Sequence, residues 1–159
     1  MAQYKDPALV KATFDTLCRT LEQNNWPYRK DEQTCSIRCS VQGEEQPITL
    51  NIRVDADRML VLLASQLLVT VSQDKRLDVV LAVCGINNLL VDGCFDYDYT
   101  TGKIYFRMTN SFVESRRNEE FFDCLVRCAA QTVDAYSEQL QMISSGMLSI
   151  ADFLTALQN

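Results

Sequence analysis

Histidine is absent from this 159-residue chain. That removes the side chain most used to shuttle protons, to activate a thiol and to ligate metals near neutral pH. Glycine is scarce, at five residues, and proline scarcer, at three. No Gly-rich phosphate loop can be drawn from them, and there is no flexible linker or low-complexity tail. No window reaches the roughly 20 apolar residues that cross a bilayer. The longest apolar stretches, 59–64 and 79–84, are core-sized. Positive charge is also short: 15 Lys and Arg face 21 Asp and Glu, a net charge of −6. Residues 1–80 carry 10 basic and 11 acidic side chains, and residues 81–159 carry 5 and 10, so the acidic excess lies in the second half. The basic doublets, Arg29-Lys30, Lys75-Arg76 and Arg116-Arg117, are isolated. Nucleic acid is disfavoured as a partner, because phosphate neutralisation needs clustered cations.

Cysteine, by contrast, is abundant. Seven is an odd number, which leaves one thiol over in a fully bridged secreted domain. Residues 1–7 are polar and lack the apolar core of a secretion signal. Reduced thiols and a cytosolic location follow. Cys35 and Cys39 read as neighbours on one strand face, roughly 13 Å apart, and Cys124 and Cys128 share a helix face. Strand thiols at that separation cannot ligate one ion, and the tight C-x2-C knuckle of zinc sites is missing. The cysteines read as small buried hydrophobes. Asp96-Tyr97-Asp98 opens like a calcium loop, but Thr101 stands where glycine is required and Arg107 where the bidentate glutamate should be. Asp55 and Asp57 suit a turn. Glu119 and Glu120 suit the first turn of a helix, where the dipole favours negative charge, and Glu44-Glu45 has no partner group. No catalytic residue, cofactor or metal is expected.

Periodicity outlines the elements. A helix over about 7–24 starts at Asp6 and Pro7 and carries Val10, Phe14, Leu17, Cys18 and Leu21 on one stripe. Asn24-Asn25-Trp26-Pro27 breaks it. Cys35, Ile37, Cys39 and Val41 alternate with polar residues, as do Ile48, Leu50, Ile52 and Val54, which predicts an antiparallel hairpin. A third strand over 59–64 is apolar at every position, so it is central or covered on both faces. A second helix over about 74–90 is apolar nearly all round, and an amphipathic surface helix needs only one stripe. One side belongs to the sheet, so Val79, Val83, Ile86 and Leu90 are candidates for a dimer or partner surface. An aromatic hairpin follows over about 94–109, with Phe95, Tyr97, Tyr99, Ile104, Phe106 and Met108 on one face. Asp96 and Asp98 lie opposite, within reach of Arg107 and Lys103. Tyr97, Tyr99 and Phe106 are candidates to line a groove between sheet and helix. A long helix over about 118–144 carries Phe122, Val126, Ala129, Val133, Tyr136, Leu140 and Ile143 at steps of three or four, and Gly146 suits its C-cap. Ser149 then starts a short tail helix with Ile150, Phe153, Leu154 and Leu157. The order α-β-β-β-α-β-β-α-α over one domain, 1–159, predicts an α+β fold. Its twisted antiparallel five-stranded sheet packs against helices.

Over most of its length the chain resembles the YbjN-like family of bacterial proteins, which shares the fold of type III secretion chaperones. The resemblance rests on residues 77–107. There a helix leads through Asn87-Asn88 to Gly93-Cys94-Phe95-Asp96 and then to Gly102-Lys103-Ile104-Tyr105-Phe106-Arg107. The opening helix ending in Trp26-Pro27-Tyr28 and the closing helix with Asp134-Ala135-Tyr136 fit as well. One departure is Val69-Thr70-Val71-Ser72, where proline is expected ahead of the second helix. The resemblance implies a small dimeric adaptor without enzymatic activity. Secretion chaperones use this fold to hold extended client segments, and YbjN-like proteins are described as sensory transduction regulators.

Two functions are therefore expected to compete. One is a homodimeric, cytosolic, non-enzymatic protein-binding adaptor, with clients along sheet edges or apolar grooves. The other is a small-molecule-binding sensory regulator.

Overall fold

The computed structural model describes residues 6–113 and 117–158. The polar start at residues 1–5 and Arg116 of the third basic doublet lie outside them. Helix α1 (Pro7–Gln23) begins where expected: the Asp6 carboxylate accepts from the Ala8 and Leu9 amides at 3.0 and 3.1 Å. Strands β1 (Tyr28–Asp31), β2 (Ser36–Gln42), β3 (Pro47–Asp55) and β4 (Leu60–Gln66) follow. A single 3-10 turn (Gln73–Lys75) then leads into α2 (Arg76–Asn87). The hairpin is β5 (Cys94–Asp98) and β6 (Lys103–Ser111), and the chain closes with α3 (Glu119–Ser145) and α4 (Ile150–Leu157).

Among the described residues the sheet has six antiparallel strands in the order β1-β2-β3-β4-β6-β5, one more than the sequence suggested. The added strand, β1, is Tyr-Arg-Lys-Asp and has no apolar alternation to betray it. It is an edge strand held by its ladder to β2, and edges tolerate polar residues on both faces. Strand β4 is central, which accounts for its continuous apolar run. Val61 and Leu63 enter the core, while Leu60, Leu62 and Ala64 are half-buried on the opposite face.

The core lies on one side of the sheet. Ile37, Cys39, Leu50, Ile52, Leu63, Phe95, Ile104 and Phe106 meet Leu17 and Leu21 of α1, Val79 and Ile86 of α2, and Phe122, Val126 and Leu140 of α3. An Arg19–Glu119 ion pair of 2.9 Å ties α1 to the first turn of α3. The Arg127 guanidinium, on α3, lies 5.0 Å from the Trp26 ring centre. The other sheet face carries Arg38, Asn51, Arg53, Arg107 and Thr109, all exposed.

The two halves of the sheet are not joined along their full length. Strands β3 and β4 pair from Asp55↔Leu60 to Asn51↔Ala64 and stop there. Yet β3 pairs with β2 as far as Pro47, and β4 pairs with β6 as far as Gln66.

Candidate protein-binding surface

The segment from α2 to β6 is locked by two local devices. Gly93 has φ of +74°, and a Cβ there would lie 2.5 Å from Phe106 Cζ and 2.7 Å from Met108 Cγ. The chain must therefore turn on glycine to lay β5 against β6. The Asn87 side chain then acts as a strand partner: its Oδ1 accepts from the Phe95 amide at 2.8 Å and its Nδ2 donates to the Phe95 carbonyl at 2.9 Å. An asparagine at the end of a helix thus caps the outer edge of β5, which in an open sheet would present unpaired main-chain groups. Its neighbouring asparagine and the glycine break were visible in the sequence, but nothing in the spacing disclosed this bond.

Within α2, the candidate partner residues fall on the inner side. Val79, Val83 and Ile86 are buried in the chain's own core, and Leu90 lies beyond the helix end, half-buried against that core. The outward apolar face is a different set. Leu77 is 69% exposed and Leu81 43%, with Val80 and Cys84 also exposed on the same side, and past the helix end Leu89 is 53% and Val91 96% exposed. In a helix apolar on all sides, periodicity cannot select the stripe that turns inward. The flank is covered by α4, whose approach is close: a Cβ on Gly85 would sit 2.8 Å from Leu154 Cδ2.

The three candidate groove residues do not line one groove. Phe106 is fully buried, its ring tilted against that of Phe95 with centres 5.1 Å apart. Tyr97 is half-buried against the core with its hydroxyl unpartnered. Tyr99 has left the strand for the turn, where it is 74% exposed and lies 5.8 Å from the Arg76 guanidinium. The turn explains the departure. Asp98 folds back to accept from the Thr100 and Thr101 amides and the Thr101 hydroxyl, and these bonds, the hydroxyl's above all, hold its carboxyl below the usual range. The expected cross-strand charge pair is present, with Arg107 Nε donating to Asp96 at 2.7 Å.

At the far edge, β1 is open. The Ser40 amide donates to the Pro27 carbonyl at 3.1 Å. Antiparallel alternation therefore turns the main-chain groups of Tyr28 and Lys30 away from β2. Beside the start of α1 runs an apolar cleft of about 350 Å³ lined by Pro7, Val10, Phe14, Cys35 and Ala56. Cys35 sits at its rim with φ of +49°, in the turn before β2, so it does not share a strand face with the buried Cys39. Burial pushes the Cys39 thiol up to about 11, and burial also raises Cys18. Cys84 and Cys124 are exposed. No group of three or more Cys, Asp or Glu is arranged to hold a metal ion among the described residues. No helix among the described residues is long and apolar enough to cross a membrane.

Comparison with known proteins follows the same lines. The profile of the YbjN family, described as "Putative bacterial sensory transduction regulator", matches residues 13–142. No curated protein matches the chain. Among solved structures, the ExsC–ExsE complex superposes with a TM-score of 0.62 at 15% identity, over 83% of this chain and 96% of that one. YbjN from E. coli, described as a putative transcription regulator, superposes at 0.58 with 14% identity, over 85% and 93%. The HopA1–SchA chaperone–effector complex superposes at 0.53 with 14% identity, over 86% and 97%. The fold is one shared with E. coli YbjN and with these two complexes, and the chain belongs to the YbjN family.

Proposed function

We propose that this protein is a non-enzymatic, cytosolic adaptor that acts as a homodimer and holds a segment of a client protein. The observation that carries the reading is the outward face of α2. Leu77, Val80 and Leu81 are exposed on a helix whose other sides are already packed, and Leu89, just past its end, is exposed as well. Each such leucine, covered by a partner, contributes on the order of 1 kcal/mol. A second copy is a natural cover, because one patch can pair with itself across a two-fold axis.

Client segments would use what the dimer leaves free. The β1 edge offers main-chain pairing at Tyr28 and Lys30, and the cleft beside Val10 and Phe14 offers an apolar pocket. Support comes from two of the similar structures, which are complexes, ExsC with ExsE and SchA with HopA1, the second described as chaperone and effector.

The test is reversible crosslinking of the tagged protein in its native cells, read by mass spectrometry with quantified stoichiometry. A dominant, near-stoichiometric protein partner, crosslinked to the β1 edge or to the cleft beside Phe14, is the expected result. Recovery of the protein alone would overturn the client-holding role.

A further inference from the structure

The parting of β3 from β4 opens a cleft of about 320 Å³ that runs through the sheet. The last β3–β4 pair is Asn51↔Ala64, and beyond it Pro47, the first residue of β3, has no amide to offer β4. The inner end lies under α3, between Ser65 of β4 and Ser137. The mouth opens on the helix-free face beside Arg38. Ile48, Leu67 and Val133 form apolar wall between them.

Both ends have unused bonding capacity. Ser65 is 1% exposed, and its hydroxyl has no hydrogen-bond partner. Buried hydroxyls are almost always bonded. Ser137 donates to the Val133 carbonyl, which leaves its oxygen free to accept. At the mouth, Arg38 stands directly opposite Arg29 in the β1–β2 register. Neither guanidinium has an ion-pair partner among the described residues. Two like charges face to face are destabilising, and here they persist in a chain of net charge −6. A single buried water would satisfy Ser65, but it would leave the arginines and the apolar wall unused.

We propose that the β3–β4 fork binds a small linear carboxylic acid carrying a hydroxyl at its far end. The carboxylate pairs with Arg38, in the field of Arg29. The methylene body lies along Ile48, Leu67 and Val133. The distal hydroxyl donates to the Ser137 oxygen and accepts from the Ser65 hydroxyl. The cleft volume is at the low end of the roughly 300–1,000 Å³ typical of small-ligand sites, which suits a compact acid. This site is separate from the α2 face and from the β1 edge, so its failure and that of the adaptor reading are distinguishable.

The test is an amide-resolved NMR titration of the full chain with 6-hydroxyhexanoate, hexanoate and 1,6-hexanediol. An acetylated, amidated tetraglutamate peptide serves as the protein-derived source of carboxylate. The expected result is saturable shifts at Thr49, Asn51, Ser65 and Ser137 with 6-hydroxyhexanoate. Loss of either end group, or the R38Q or S65A substitution, should weaken binding by about tenfold, the size of one lost polar contact. Both substitutions shorten or neutralise a side chain without adding bulk, and the unperturbed remainder of the spectrum reports folding. Three results would overturn the proposal: no saturable shift up to about 10 mM, affinities indifferent to R38Q and S65A, or binding by the peptide alone.

Discussion

At the scale of single residues, Asn87 has the largest effect for its size. Its amide replaces a missing strand at Phe95 through two bonds of 2.8 and 2.9 Å. Asn87→Ala should cost about 1–3 kcal/mol, because it removes both partners of partly buried main-chain groups. Urea unfolding measures that cost, and Asn87→Asp, which sets a carboxylate oxygen against the Phe95 carbonyl, should cost at least as much. Cys39 gives a prediction in pH. Its thiol is held up to about 11 by burial, whereas an unfolded cysteine ionises near 8.5. The folded value is the higher one, so the neutral thiol's contribution is fully present below the unfolded pKa. It is lost as pH rises toward 11. Cys39→Ala should therefore flatten the decline of stability over that window relative to the parent chain. Iodoacetamide at pH 8 should label the exposed Cys124 and spare Cys18 and Cys39 until the chain unfolds.

At the scale of elements, Gly93 decides whether β5 can form. Gly93→Ala combines positive φ with a Cβ 2.5 Å from Phe106 Cζ. Backbone strain and overpacking together should cost about 2–4 kcal/mol, read as a lowered urea midpoint with the slope unchanged. How far such elements can be read in advance depends on which signal places them. Helices α1 and α3 and strands β2, β3 and β6 were legible because each has one buried face and one wet face, and alternation or 3.6-residue spacing records that. Strand β1 was not, because an edge strand of Tyr-Arg-Lys-Asp gains its place from main-chain bonds to β2, which leave no side-chain pattern. The face of α2 was not either. Its apolar residues fill every side, and only the position of α4 against Gly85 and of the sheet beneath Ile86 fixes which leucines remain outside. Tyr99 was misplaced for a third reason: Asp98 ends the strand with a side-chain turn one residue earlier than the aromatic alternation implies.

At the scale of the whole molecule, the helices and the core lie on one side of the sheet, and three surfaces remain available: the outer face of α2, the β1 edge with the α1 cleft, and the helix-free sheet face. A second copy on the first of these would leave the other two for ligands, which is how a small adaptor can join a partner while its own fold stays fixed. Leu81, in the middle of the α2 face and 43% exposed, is the residue on which this depends. The most direct measurement is the sedimentation-equilibrium mass of the parent chain and of Leu81→Glu at micromolar concentration. A parent of about twice the 18.1 kDa chain mass, reduced to the single-chain mass by Leu81→Glu with its circular dichroism unchanged, is the predicted result. A parent that sediments as a single 18.1 kDa chain would contradict it.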